Sequence, residues 1–192
     1  MLGIDPGMKR LGLAIVERDS KGNIVLLTHG LIHNPRDTLS YNDYLNESIH
    51  EIVVDFSRFL GLTTPDLIVA ERVPPGKLRA SSELVFCAVT TCKVIAYQWD
   101  IEWKDIAANT VKSIVAGEGN ASKVKVRNAV INLFPKLGDH HKKMKEEQKQ
   151  LGEKLIGLPQ DVFDAVAVAY TGLLKYEEDT NERTASDTER DL

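Results

Sequence analysis

Four acidic side chains stand where a carboxylate is either useful or costly: Asp5, Glu71, Asp161 and Asp164. Asp5 closes the string Leu2-Gly3-Ile4-Asp5-Pro6-Gly7, in which a short apolar strand ends at once in a Pro-Gly turn. Its carboxylate therefore falls at the exposed carboxyl end of a strand. Glu71 repeats the feature directly after the apolar run Leu67-Ile68-Val69-Ala70. An ionised glutamate beside a buried strand is unfavourable unless it is paired or bound to a cation. Asp161 and Asp164, three residues apart at the start of the last helical stretch, project from one helix face. Taken singly, each has an ordinary explanation: a turn for Asp5, an ion pair with Arg72 or Lys104 for Glu71, and helix capping for Asp161 and Asp164.

Taken together they suggest chemistry. Four carboxylates gathered at strand ends and one helix start would repel each other in a dry cluster. Divalent cations relieve that repulsion, and an all-oxygen donor set selects magnesium or manganese over softer metals. Two such ions about 4 Å apart can activate a water and stabilise the leaving oxygen of a phosphodiester. That is the logic of an acid-only nuclease site. No His-Glu-x-x-His, Gly-x-x-x-x-Gly-Lys-Ser/Thr or Gly-x-Ser-x-Gly pattern competes with it.

The elements that must position these acids follow from periodicity. Strands are expected at Leu2–Asp5, Leu11–Glu17 and Ile24–Ile32, the last two joined by the hairpin signal Asp19-Ser20-Lys21-Gly22-Asn23. A helix is expected from Tyr41 to Leu60, with Leu45, Ile49, Ile52, Val53, Phe56 and Leu60 at helical spacing. Leu67–Ala70 reads as a buried central strand. Beyond the Pro74-Pro75-Gly76 loop come a helix over Ser81–Trp99, a fifth strand over Asp100–Ile106, and helices over Asn109–Ala116 and Ser122–Phe134. Lys142–Leu155 is a charged helical stretch with few apolar anchors. Pro159 opens a final helix to Tyr176, whose Val162, Ala165, Val166, Ala169 and Leu173 form an apolar stripe. This order predicts an α/β domain over residues 1–176, a mixed five-stranded sheet of antiparallel meander plus parallel strands, flanked by helices. The acidic tail 177–192 is expected to be disordered.

The chain of 192 residues, 43% hydrophobic and 27% charged, has the composition of one globular domain. It holds no apolar run of membrane-spanning length and opens directly on a strand without a leader, so a cytoplasmic protein is expected. Cys87 and Cys92, five apart on one helix, are expected to be small core residues, not a disulfide or a zinc site. The net charge of −4 is unevenly distributed: residues 177–192 carry seven acids against two arginines, whereas Lys104–Lys154 holds eleven Lys/Arg against six Asp/Glu. Positive charge is thus concentrated where a backbone-tracking surface could form.

These blocks resemble, in order, the RuvC-type Holliday junction resolvases of the RNase H-like superfamily. Leu2–Gly7 with Leu11-Gly12-Leu13-Ala14 is similar to the family's opening, and Ile68-Val69-Ala70-Glu71-Arg72-Val73 to its second acidic strand. Val111-Lys112 with Gly117–Lys123 is similar to its lysine-bearing stretch, and Asp161–Ala169 to its final acidic helix. The resemblance covers about residues 1–175. It implies an RNase H-like fold and a homodimer acting on four-way or other branched DNA by paired symmetric nicks. It also implies two magnesium ions per active site, replaceable by manganese, held by Asp5, Glu71, Asp161 and Asp164. Lys112 would assist catalysis. Lys112, Lys123, Lys125, Arg127, Arg72, Lys77 and Arg79 would contact DNA; Lys142 and Lys143 lie in the longer stretch 138–158, which is expected to add a DNA-gripping helix. A motor partner for branch migration is not legible.

Three features depart from the family pattern. Val73-Pro74-Pro75 follows Glu71 where bacterial members carry a junction-wedging aromatic, residues 138–158 are longer and rich in Lys and His, and the tail is acidic. They suggest a divergent member of phage or organellar origin. Two other functions use the same residues differently: an RNase H-like nuclease for other branched DNA or RNA precursors, and a catalytically silent DNA-binding protein. The second would have no need of all four acids.

Overall fold

A computed structural model describes residues 1–34, 40–72, 80–152, 154 and 157–190, with side chains described except at 80–82 and 177–190. β1 (Leu2–Asp5), β2 (Arg10–Arg18) and β3 (Ile24–His33) form the expected antiparallel meander. The chain then crosses through helix α1 (Tyr41–Thr63) to β4 (Leu67–Glu71), and through α2 (Ala80–Gln98) to β5 (Glu102–Ile106). β4 pairs in parallel with β1 and β5 with β4, giving the sheet order β3-β2-β1-β4-β5. The remaining helices are α3 (Ala108–Ala116), α4 (Lys123–Leu133), α5 (Pro135–Gln150) and α6 (Gln160–Arg190).

Strand alternation divides the core between the two faces of the sheet. Leu2, Ile4, Leu13, Ile15, Ile68 and Ala70 meet α1 and α2, with Ile52, Phe56 and Leu60 of α1 wholly buried among them. Ala14, Val16, Val69 and Ile106 face the other way, toward the side chains of α3 to α6. Val53, expected in the core, faces solvent on α1. Cys92 is buried, Cys87 is half-buried, and both are free thiols. Among the described residues no helix is long and apolar enough to cross a membrane.

Three elements differ from expectation. The final helix does not present an apolar stripe: Val162, Phe163 and every residue from Ala165 to Ala169 are buried, because α6 lies between the sheet and α3–α5 and is apolar all round there. Helical backbone runs past Tyr176 to Arg190. The charged helix starts earlier, at Pro135, whose fixed φ suits a first helical turn, and ends at Gln150. It is not simply solvated, since Leu137, Gly138 and His141 are buried. The fifth strand also begins two residues late, at Glu102, because Asp100 takes a left-handed turn (φ 54°) between α2 and β5.

Two glycines let α6 reach the sheet. A Cβ on Gly3 would lie 2.3 Å from the Ala165 carbonyl oxygen and the Ala169 nitrogen, and one on Gly12 would lie 2.1 Å from the Asp161 carbonyl oxygen. Backbone thus packs on backbone, which fixes the depth of α6 and of the two aspartates in its first turns. Gly12→Ala should lower the unfolding free energy by about 1–3 kcal/mol through overpacking, seen as an earlier urea midpoint at unchanged slope. Gly30→Ala, where the new carbon would meet only the Phe59 ring at 3.4 Å, should be close to neutral in the same assay.

Candidate active site

The register of β1 and β4 sets the first two acids side by side. The parallel ladder pairs Leu2 with Ile68, Gly3 with Val69 and Ile4 with Ala70. One further step places Asp5 next to Glu71 at the carboxyl ends of both strands. Gly3 and Val69, two residues earlier, face α6, so strand periodicity turns Asp5 and Glu71 to that face as well.

Asp164 comes to the same place from α6. A cavity of about 130 Å³ is lined by Asp5, Glu71 and Asp164, with Lys112 from α3, Lys123 from α4 and small apolar residues between them. Lys123 Nζ lies 3.4 Å from Asp164 Oδ2, and Gln160 Nε2 donates to Asp164 Oδ1 at 2.9 Å. Asp161 stands at the rim, where Arg10 Nη1 approaches its Oδ2 at 3.5 Å. Among the described residues no three His, Cys, Asp or Glu side chains are close enough as placed to grip one ion. The acids share a cleft and one another's field without forming a closed coordination shell.

That field is strong. Burial, and then the charges of Asp164, Glu71 and Asp161, push the Asp5 carboxyl up to about 8, with Lys123 opposing. Burial and Asp164 likewise raise Glu71, while Lys123 and Lys112 work against the shift. Lys123 is held above the usual lysine range: partial burial opposes its charge, but the Asp164 carboxylate outweighs it. The arrangement has the chemistry of a hard-cation site, being all-oxygen, crowded with like charge and retaining a proton that a cation could replace.

The expected basic residues divide. Lys112 and Lys123 line the cleft. Lys125, one turn into α4, pairs with Glu118 at 2.7 Å on the surface, and half-buried Arg127 acts by its charge on His141. Arg72 is exposed, and its charge is felt by Asp105, which is bound to Lys93 of α2. It therefore points away from the acids. Lys142 and Lys143 are exposed on α5, near Asp139 and Glu147. Lys77 and Arg79 lie outside the described residues. Sequence reasoning missed Arg10, Gln160 and His141. Gln160, four residues before Asp164 and so on the same helix face, was within reach of it; the other two needed the fold.

The family model described as crossover junction endodeoxyribonuclease RuvC matches residues 1–172. The crossover junction endodeoxyribonuclease RuvC of Prochlorococcus marinus is 26% identical over 175 residues, 91% of this chain and 98% of its own. The structure of Thermus thermophilus RuvC superposes with a TM-score of 0.69 at 23% identity, covering 93% of this chain and 96% of that one. T. thermophilus RuvC in complex with Holliday junction substrate gives 0.66 at 22%, covering 88% and 90%. The fold is RNase H-like, and by the match over nearly its whole length the chain belongs to the RuvC family of crossover junction endodeoxyribonucleases.

Proposed function

We propose that the chain is a metal-dependent endonuclease that resolves four-way DNA junctions by paired symmetric nicks. The observation that carries this is the convergence of Asp5, Glu71 and Asp164, from three distant stretches of sequence, on one cleft beside Lys112 and Lys123. The substrate class follows from the family's named activity and from the relative solved on a Holliday junction substrate. A DNA substrate of this kind is consistent with a cytoplasmic setting.

Asp5, Glu71, Asp164 and Asp161 would hold two magnesium ions, or manganese in their stead. When bound, the ions supply the charge that activates a water and stabilises the leaving oxygen. The rest falls to the chain's own side chains. Gln160 and Arg10 orient the two aspartates of α6. Lys123 neutralises Asp164 before substrate arrives and can donate to a phosphate oxygen afterwards; Lys112 does the same on the Glu71 side. Beyond the cleft, Lys125 on α4 and Lys142 and Lys143 on α5 would track the backbone. Their ion pairs are exposed and worth only about 0–1 kcal/mol, so phosphate can replace them.

A two-fold junction calls for a two-fold enzyme, and one face of the molecule suits a second copy. Phe86, Val94 and Tyr97 of α2 are exposed, and with Val53 and Ile49 of α1 the first two border an apolar groove of about 500 Å³. Phe86→Glu should shift sedimentation from dimer to monomer. A dimer unchanged by that substitution would move the interface elsewhere.

Asp5→Asn should abolish nicking of four-way DNA while leaving junction binding, read by gel shift, within a few-fold. Normal nicking by that variant would remove Asp5 from the mechanism. A panel of flaps, hybrids and single strands run beside the junction tests the substrate class.

The Asp5 carboxyl also sets a pH dependence. Folded and metal-free, it keeps its proton up to about pH 8; unfolded, it loses it near 3.8. Between those values the folded state binds the extra proton, so metal-free stability falls as pH rises through the window. The melting temperature of the metal-free protein should therefore drop between about pH 5 and 8, and Asp5→Asn should flatten that slope. Since a cation must displace the same proton, Mn2+ affinity should climb over that range.

A further inference from the structure

Among the described residues none of α5 lines the cleft, yet this helix grips the chain just before α6. His141 is 6% exposed. Its Nδ1 accepts the Leu158 N–H at 2.9 Å, and its ring stands edge-on to Phe163 at 5.2 Å between centroids, with planes at 82°. About two turns further along α5, the Gln148 Oε1 accepts the adjacent Gly157 N–H, also at 2.9 Å. Gly157 has φ +65°, and a Cβ there would come within 2.6 Å of His141 Nδ1, so the turn closes directly on the imidazole. Two consecutive backbone N–H groups are thus held by side chains of α5. Asp161 follows Leu158 by three residues, and Phe163, wholly buried under the imidazole, sits immediately before Asp164.

From this geometry we infer that His141 and Gln148 are positioning residues, which set the rotation and height of the first turn of α6 and so the fit of Asp161 and Asp164 to divalent cations. The inference rests on the metal-dependent function proposed above. Gly12 stops α6 from the sheet side at Asp161; α5 stops it from the opposite side at Leu158 and Phe163. Helix packing alone would leave the terminal turn to fray, and hydrogen bonds to its lead-in remove that freedom. Accepting at Nδ1 requires an imidazole protonated only on Nε2. Burial, then the charges of Lys145 and Arg127, favour that neutral form.

The test uses the full chain and Mn2+ as the probe. His141→Leu keeps the bulk and removes the acceptor. Calorimetric titration should show Mn2+ affinity reduced about ten-fold, in the range typical for groups that orient metal ligands. Hydrogen exchange at the Leu158 amide should be faster. His141→Asn, whose carbonyl oxygen can replace Nδ1, should restore both values. Gln148→Ala, a less buried site less prone to unfold the protein, should shift Mn2+ affinity in the same direction. Unchanged Mn2+ affinity in folded His141→Leu and Gln148→Ala would overturn the inference. If the unsubstituted protein bound no Mn2+, the functional proposal would fall instead. Exchange rates across 157–164 would then decide the latch, unchanged rates overturning it.

Discussion

Crowding carboxylates into a partly buried cleft is unfavourable, and the packing of the domain works to impose it. Asp5 and Glu71 are locked together by strand pairing, which cannot relax without breaking the parallel ladder at the centre of the sheet. α6 is brought against them by contacts between backbone atoms over Gly3 and Gly12, where no side chain intervenes to yield. Its buried faces, apolar all round from Ala165 to Ala169, keep it there. Repulsion is answered by protonation of Asp5 and by the lysines of α3 and α4, not by separation of the acids. The hydrophobic core thus holds electrostatic strain in the one region where a cation can relieve it.

Much of this arrangement was legible in the sequence, for identifiable reasons. Strand ends are marked by a change from apolar residues to a turn, so Asp5 and Glu71 could be placed at the carboxyl ends of strands before their pairing was known. Asp161 and Asp164 were legible from their spacing on a helix start. The convergence of these pieces was not legible from local pattern, because register between distant strands and the crossing of α6 depend on tertiary contacts. The family resemblance implied that convergence; the cleft gathers Asp5, Glu71 and Asp164, with Asp161 outside its lining.

The misreadings share one cause. An apolar stripe was expected on α6 because small residues such as Ala167 and Val168 could belong to either face, and only a helix enclosed on both sides buries them all. Lys142–Leu155 showed few apolar anchors because those of its helix are Leu137, Gly138 and His141, two of them not apolar side chains and all before the expected start. Arg72 seemed a partner for Glu71 by adjacency, yet neighbouring residues on a strand face opposite ways and it acts on Asp105 instead. Periodicity reports which face a residue shares with its neighbours. It does not say what covers that face.

The contact between Lys123 and Asp164 bears on how such a cleft waits between encounters. At 3.4 Å, with the lysine side chain three-quarters exposed, the pair is loose. It occupies an acceptor oxygen reversibly, much as a mobile counterion would, while staying covalently attached to the wall. An ammonium tethered there is always at hand yet easily outcompeted by a doubly charged ion. Exchange of partners then needs only rotation of one flexible side chain, with no rearrangement of the sheet or of the helix that carries the acid.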